Sequence, residues 1–487
     1  MTNDALSIRT LAHRIRSGAS HSRDVFRTHL DSLERWNGVT NAACFINRDG
    51  GIRAAEELDA RVTRGEKLGV LAGVPFAAKD HIRVAGAPRS MGTTFRAIER
   101  CERSDPLIAA AFHQDALCIA KGNQTEYGKA YFTENERFGK TVHFLDASRS
   151  PGGSGGGDAV IVAVGAALFG LGVDASGSVR VPSSFCGLYG LVPTHGLLPQ
   201  SGLVEDTHCF SSTFSVPGIM TRTLEDLEIT FSALRTFDRA YPYATAYPMG
   251  LHPDPVGGET TRIGIVSSLR DIPLDSEITT ALTEVSRRCS EHGISPRDFS
   301  SPLFAHTLEP FVILNVQAVI DAEDLLYQEL GTPRNATEDG PRLAVLRRKV
   351  AERLPPLTAA GLLVMLNRVE QLRRMAHTLF SEVDLLIAPV ASVTAPPHGS
   401  DRFVVEGGTE VNKGIERKEI ESQEAFLWSA MTNVLGLPSL AFPTHRGANG
   451  MPAGLQVIGP RFSELRMIRL LRQLGFEERL ELDLKPA

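Results

Sequence analysis

Two clusters of small residues, each holding a serine, lie close together in this chain. They are SPGGSGGGD, from Ser150 to Asp158, and ASGSVR, from Ala175 to Arg180. Small residues leave backbone N–H groups open and permit unusual dihedrals. Consecutive N–H groups beside a serine hydroxyl suit acyl transfer: the hydroxyl attacks a carbonyl and the N–H groups hold the oxyanion that forms. Ser178 is the candidate nucleophile. A hydroxyl is a weak nucleophile, so a base must lie near it. His195 follows soon after, but proximity in sequence makes it a loop histidine, and no G-x-S-x-G elbow with suitable partners is present. A lysine is the other candidate base.

Phosphate chemistry fits the glycines poorly. A phosphate loop needs a Lys–Ser/Thr pair straight after its glycines. Here Asp158 stands there, and a carboxylate would repel phosphate. A dinucleotide fingerprint needs a strand before its glycines, and HFLDASRSP is a poor strand. No cofactor is implied. The 14 histidines are dispersed with no HxH or HExxH pair, so no metal set emerges. His81 could line a pocket or face solvent. Cys186 reads as a buried thiol packed against the loop.

The serines need elements to hold them. LAGVPFAAKDHIRV reads as a buried strand running into a loop at Lys79, and PLIAAAFHQDA followed by LCIAKGNQTEYG as a helix and a strand. The apolar run Ala159–Val173 reads as a buried core helix between the two serine loops. It contains glycines and is short for a membrane span. Residues 1–66 read as a helical segment, 240–262 as a long connection, and 300–375 as a largely helical stretch. VDLLIAPV, NVLGLPSLAFP and AGLQVIGP read as later strands, closed by the helix SELRMIRLLRQLG. Alternating helices and short apolar strands predict an α/β fold. Strands spread from about residue 70 to 460 predict one large domain over 1–487.

Bulk properties bound the partners. A chain of 487 residues with 42% hydrophobic and 22% charged content is ordinary for a globular protein. A net charge of −6 gives no sign of a nucleic-acid surface. Six scattered cysteines and a charged N-terminal MTNDALSIRTLAHRIR predict a reducing, cytoplasmic setting with free thiols.

Residues 152–194 resemble the signature of the amidase signature family. They run from a Gly-Gly-Ser-rich loop through an apolar segment to Asp-x-x-Gly-Ser-[apolar]-Arg-x-Pro and a Cys-Gly-x-x-Gly-Leu-x-Pro-Thr run. The 24 positions from Ser154 to Ser178 match that family's two catalytic serines. GVPFAAKD, at 73–80, resembles its segment with the catalytic lysine. Asn123–Glu126, Phe138-Gly139 and the three late strands match in order. The likeness covers roughly residues 65–235 and 380–475.

The resemblance implies roles. Ser178 would be the nucleophile, and Ser154, after a cis peptide bond from Gly153, would bridge it to Lys79. The N–H groups of Ala175, Ser176, Gly177 and Ser178 would form the oxyanion hole. Asp174, Arg180 and Gly153 would contact substrate or anchor the loop. Three departures stand out: Gly155 replaces a usual serine, Ser176 a usual glycine, and Lys121-Gly122-Asn123 a usual Lys-Thr-Asn.

The resemblance implies a large mixed, mostly parallel central β-sheet covered by helices on both faces. It implies an amidohydrolase that cleaves a small-molecule amide, and esters too, through an acyl-enzyme. The pocket walls would come from residues 125–150, 200–215 and 300–375. Neither nucleic acid nor a membrane span enters this reading, and a homodimer stays open. The alternatives are the glutaminase subunit of a tRNA-dependent amidotransferase, a binding protein without activity, and an amide-forming acyltransferase.

Overall fold

The computed structural model describes residues 7–94, 98–203, 213–247, 261–270, 272–318, 341–400, 402–407, 416–477 and 479–482. Eleven strands among them form one sheet. They are β1 Ala43–Ile46, β2 Pro75–Lys79, β3 Leu117–Gly122, β4 Phe169–Asp174, β5 Tyr189–Val192, β6 Val216–Thr221, β7 Ile263–Ile265, β8 Arg297–Asp298, β9 Leu385–Pro389, β10 Ser439–Arg446 and β11 Pro452–Ile458. Their order across the sheet is β1-β3-β2-β4-β6-β5-β10-β11-β9-β7-β8.

The sheet is large and mixed, as expected, but it is not mostly parallel. Among the described residues four neighbouring pairs are parallel, namely β3–β2, β2–β4, β9–β7 and β7–β8; the other six are antiparallel. Parallel neighbours need a crossover, which the helices Pro106–His113 and Ser276–Glu291 supply near the two ends. Across the middle, strands return beside one another. β10 and β11 pair over a short turn, and β6 pairs antiparallel with both β4 and β5.

Both faces carry a core. Phe76 and Ala78 of β2 belong to one apolar cluster and Ala77 to another, and Leu385 and Ile387 of β9 alternate with Leu386 and Ala388 in the same way. That period of two is what a strand buried on both sides produces. The helices Ile8–Arg16, Pro106–His113, Leu224–Leu234 and Glu464–Gln473 cover the first face, and Ser22–Thr40, Gly156–Ala163 and Leu427–Leu435 the second.

Two further expectations are corrected. The N-terminal segment is not helical throughout, because Ala43–Ile46 enters the sheet as its edge strand opposite β3. The apolar run 159–173 is not one helix. The helix stops at Ala163, Gly165 takes φ +77°, and the chain turns into β4. A left-handed residue ends a helix, and glycine adopts that conformation without steric cost.

Candidate active site

Every residue of β2 is buried, and Lys79 is its last. Alternation along the strand sends Lys79 to the face covered by the helix Gly156–Ala163. Gly122 of β3 is its register partner. The loop before that helix is shaped by its glycines. Gly152 takes φ +86°, and the Gly153–Ser154 peptide is cis. A Cβ on Gly153 would lie 2.7 Å from the Tyr131 carbonyl carbon, so backbone fills the place of a side chain. Thr133 holds the loop from outside: its hydroxyl donates to the Gly152 carbonyl and accepts the Gly156 N–H, both at 2.9 Å.

The second loop starts where β4 ends, at Asp174. Asp174 accepts the N–H groups of Gly177 (2.7 Å), Val179 (3.0 Å) and Arg180 (3.2 Å). The Arg180 guanidinium also grips it, with Nη2 2.8 Å from Oδ1 and Nε 3.1 Å from Oδ2. The remaining donors of Arg180 go to Thr432, Gln456, Asn433 and the Ser429 carbonyl. Both partners are fully buried. The Arg180 charge and the donated N–H groups hold the Asp174 carboxyl below its ordinary value against the opposing effect of burial. Gly177 takes φ +122°, and a Cβ there would meet Ser429 Cβ and Val181 Cγ2 at 2.8 Å, so only glycine fits.

The four N–H groups expected to face an oxyanion differ in their partners. The Gly177 N–H is committed to Asp174. The N–H groups of Ala175, Ser176 and Ser178 have no acceptor among the described residues.

The two loops meet at their serines. Lys79 Nζ donates to Ser154 Oγ at 2.5 Å, and Ser154 Oγ donates to Ser178 Oγ at 2.9 Å. Lys79 is 2% exposed, Ser154 0% and Ser178 6%, so solvent reaches the outer serine most readily. Burial brings the Lys79 ammonium down to about 8, with Asp158 and then Asp174 opposing that fall. The order of donors is the one an ammonium imposes. When Lys79 is an amine, both hydroxyls can turn, so that Ser178 donates to Ser154 and Ser154 to Nζ.

Other singled-out residues fall elsewhere. His81 is buried rather than facing solvent. Its Nδ1 lies 2.9 Å from Gln124 Oε1, and burial holds its ring neutral. His195 Nε2 lies 2.8 Å from the Tyr241 hydroxyl and has no hydrogen bond to the serines. Cys186 is buried against the Pro151 carbonyl, and burial pushes its thiol up. Lys121 Nζ donates to the Asp80 carbonyl at 2.7 Å. Asp158, noted in the sequence only as an obstacle to phosphate, lies buried beside Lys79, which sequence reasoning missed. Among the described residues no group of three His, Cys, Asp or Glu could hold a metal. No described helix is long and apolar enough to cross a membrane.

A cavity of about 230 Å³ is lined in part by His195 and Tyr243. Thr213 and Phe214 contribute from the expected stretch 200–215, and Leu314, Leu366, Val369, Glu370 and Arg373 from 300–375; no residue of 125–150 lines it. The Asn433 amide joins this wall to the loop, donating to the Asp174 carbonyl at 2.9 Å and the Phe214 carbonyl at 3.0 Å. The stretch 125–150 approaches the serines directly instead, since a Cβ on Gly128 would lie 3.3 Å from Ser154 Oγ. Residues 204–212 and 319–340, within the same expectation, lie outside the described residues.

Comparison with known proteins gives a consistent likeness. The family described as Amidase matches residues 24–468. The 2-amino-5-chloromuconic acid deaminase of Comamonas testosteroni is 30% identical over 461 residues, covering 92% of this chain and 88% of that one. A glutamyl-tRNA(Gln) amidotransferase subunit of Gloeobacter violaceus is 28% identical over 487 residues, covering 95% and 94%. A bacterial aryl acylamidase of the amidase signature family superposes with a TM-score of 0.81 at 23% identity, covering 96% of each chain, a likeness of fold.

Proposed function

This chain belongs to the amidase family of enzymes acting on C–N bonds, and from that premise we propose that it hydrolyses a small-molecule amide through an acyl-enzyme on Ser178. The reading rests on one observation, the buried chain Lys79 Nζ–Ser154 Oγ–Ser178 Oγ with both links within hydrogen-bond distance. Neutral Lys79 takes a proton through Ser154 as Ser178 attacks the amide carbonyl. The C–O bond forms, and the carbonyl electrons move onto oxygen beside the N–H groups of Ala175, Ser176 and Ser178. Collapse breaks the C–N bond, and the leaving nitrogen takes the proton back along the same relay. Water then repeats the sequence on the acyl-enzyme and releases the carboxylate. Asp174 and Arg180 act as the loop's anchor in this scheme, because their polar atoms are spent on protein partners. Gly153 serves by letting the two loops close. The cavity beside Phe214 would take part of the substrate.

Labelling tests the reading. A fluorophosphonate should modify Ser178 and stop turnover; a label mapped to another residue would remove Ser178 from the role.

A second reading follows from the relatives named as glutamyl-tRNA(Gln) amidotransferase subunits, such as that of Gloeobacter violaceus, 28% identical. In it the chain would supply ammonia from glutamine within an assembly. Purified chain that turns over simple amides at full rate without any partner argues for the first reading.

A further inference from the structure

Asp158 sits in the first turn of the helix Gly156–Ala163 and is fully buried. No other residue among those described donates a hydrogen bond to either carboxylate oxygen. Its location is set by two glycines. A Cβ on Gly122, the register partner of Lys79, would lie 1.9 Å from Asp158 Oδ1. A Cβ on Gly155 would lie 3.1 Å from Asp158 Oδ2 and 3.7 Å from Lys79 Cδ. The carboxylate therefore fills the space that both glycines leave, alongside the stem of Lys79.

Burial without hydrogen bonds is costly to a carboxylate and pushes the Asp158 carboxyl up to about 8; Lys79 and then Lys121 oppose that rise, so Asp158 and Lys79 compete for the same proton. The groups facing it can be enumerated. Lys79 and Lys121 are the cations, Asp80 is the like charge, and the Cys44 and Cys118 thiols are pushed up by burial. Lys121 donates to the Asp80 carbonyl, Asp80 accepts from Ser90, and Asp174 is spent on Arg180. Lys79 stands first among the charges acting on Asp158, and Asp158 first among those acting on Lys79.

We propose that Asp158 is a positioning residue acting through Lys79: the two buried side chains share one proton, so that this pair, rather than the lysine alone, sets the pH at which the serine relay can accept a proton. The inference rests on the reading of Lys79 as the base. Burial by itself would make Lys79 neutral but feeble, and a base works best when its proton affinity lies near the working pH. A carboxylate alongside restores that affinity. The Gly155 departure fits the same account, because a side chain there would crowd Asp158 Oδ2.

The test uses the rate at which a fluorophosphonate labels Ser178, followed from pH 5.5 to 10, so no natural substrate is needed. Asp158→Asn keeps the shape and removes the charge; Asp158→Ser does so in a smaller side chain and serves if the first fails to fold. In either variant the midpoint of the rising limb should move about one unit to lower pH, and the plateau should fall a few-fold as the base weakens. A midpoint that stays in place, or moves up, overturns the proposal while leaving the relay intact. A wild-type rate with no rising limb, or a label away from Ser178, overturns the reading of the relay and the proposal with it.

Discussion

The N–H of Gly155 donates to the carbonyl of Ser178 at 3.2 Å, so the loop that carries Ser154 is hydrogen-bonded to the loop that carries Ser178. That bond brings the loops close enough for two hydroxyls to meet across 24 positions. It also leaves little room. A Cβ on Gly155 would lie 3.0 Å from the Ser178 carbonyl oxygen and 3.1 Å from Asp158 Oδ2. Gly155→Ser should therefore destabilise the protein by about 1–3 kcal/mol, the usual range for overpacking, and lower turnover several-fold. The loss should shrink when Asp158→Ser is added, since one of the crowded atoms is gone. Thermal unfolding and turnover of both single variants and the double variant check this. Additive losses would place the cause outside the contact between 155 and 158.

The two serines should be separable by rate. Ser178→Ala removes the atom that bonds to the substrate in the proposed mechanism and should cost about 10⁴-fold or more in turnover. Ser154→Ala removes the proposed carrier of the proton, for which about 10²–10⁴-fold is typical. KM should move little in Ser154→Ala, because the hydroxyl is fully buried behind Ser178. Steady-state kinetics on any amide the wild type accepts gives both numbers. A Ser154→Ala protein with normal turnover would reduce its loop to a packing element.

Lys79 predicts the direction of the pH profile. Only the amine can accept a proton, and burial lowers the ammonium to about 8. In the proposed relay the neutral form is the active one, so kcat/KM should climb as pH rises through about 8 and fall away below it. Lys79→Met should lose that limb together with most of the activity. Lys79→Arg should be equally inactive, since a guanidinium keeps its proton throughout this range. Rates measured from pH 6 to 10 decide it, and an active Lys79→Arg protein would point to a different base.

Part of the candidate site was legible in residue types, part only through resemblance, and what was legible in neither has a physical reason. Ser178 stands out by its small-residue neighbours, whereas Ser154 and Lys79 are identified only because their segments resemble the amidase signature. Asp158 carries no such signal, because its partner lies 79 positions earlier and its meaning depends on two glycines in different elements. The reading of 159–173 as one helix failed because a buried helix and a strand buried on both faces show the same unbroken apolar run. Gly165, in its left-handed turn, was the only mark between them. β5 and β6 escaped for a related reason: Tyr189–Val192 and Val216–Thr221 are short, wholly buried and show no alternation. Without them the sheet reads as helix–strand repeats, hence parallel, although its middle is antiparallel.

Arg180 offers the last prediction, and it separates holding the loop from meeting the substrate. Its guanidinium is fully buried, paired with Asp174 and spread over Thr432, Gln456, Asn433 and the Ser429 carbonyl. Removing one partner of a buried pair leaves the other charge uncompensated, typically at about 3–5 kcal/mol. Arg180→Met should therefore lower the midpoint of denaturant unfolding strongly. Arg180→Lys should recover only part of the loss, because one ammonium cannot reproduce the planar fork that grips both Asp174 oxygens. With Asp174 loosened, the N–H of Gly177 is released and the N–H groups proposed to hold the oxyanion lose their fixed aim, so kcat should fall in both variants. A substrate-binding arginine would behave differently. Its loss would raise KM and leave the unfolding midpoint near that of the wild type, and that pattern would overturn the anchoring role.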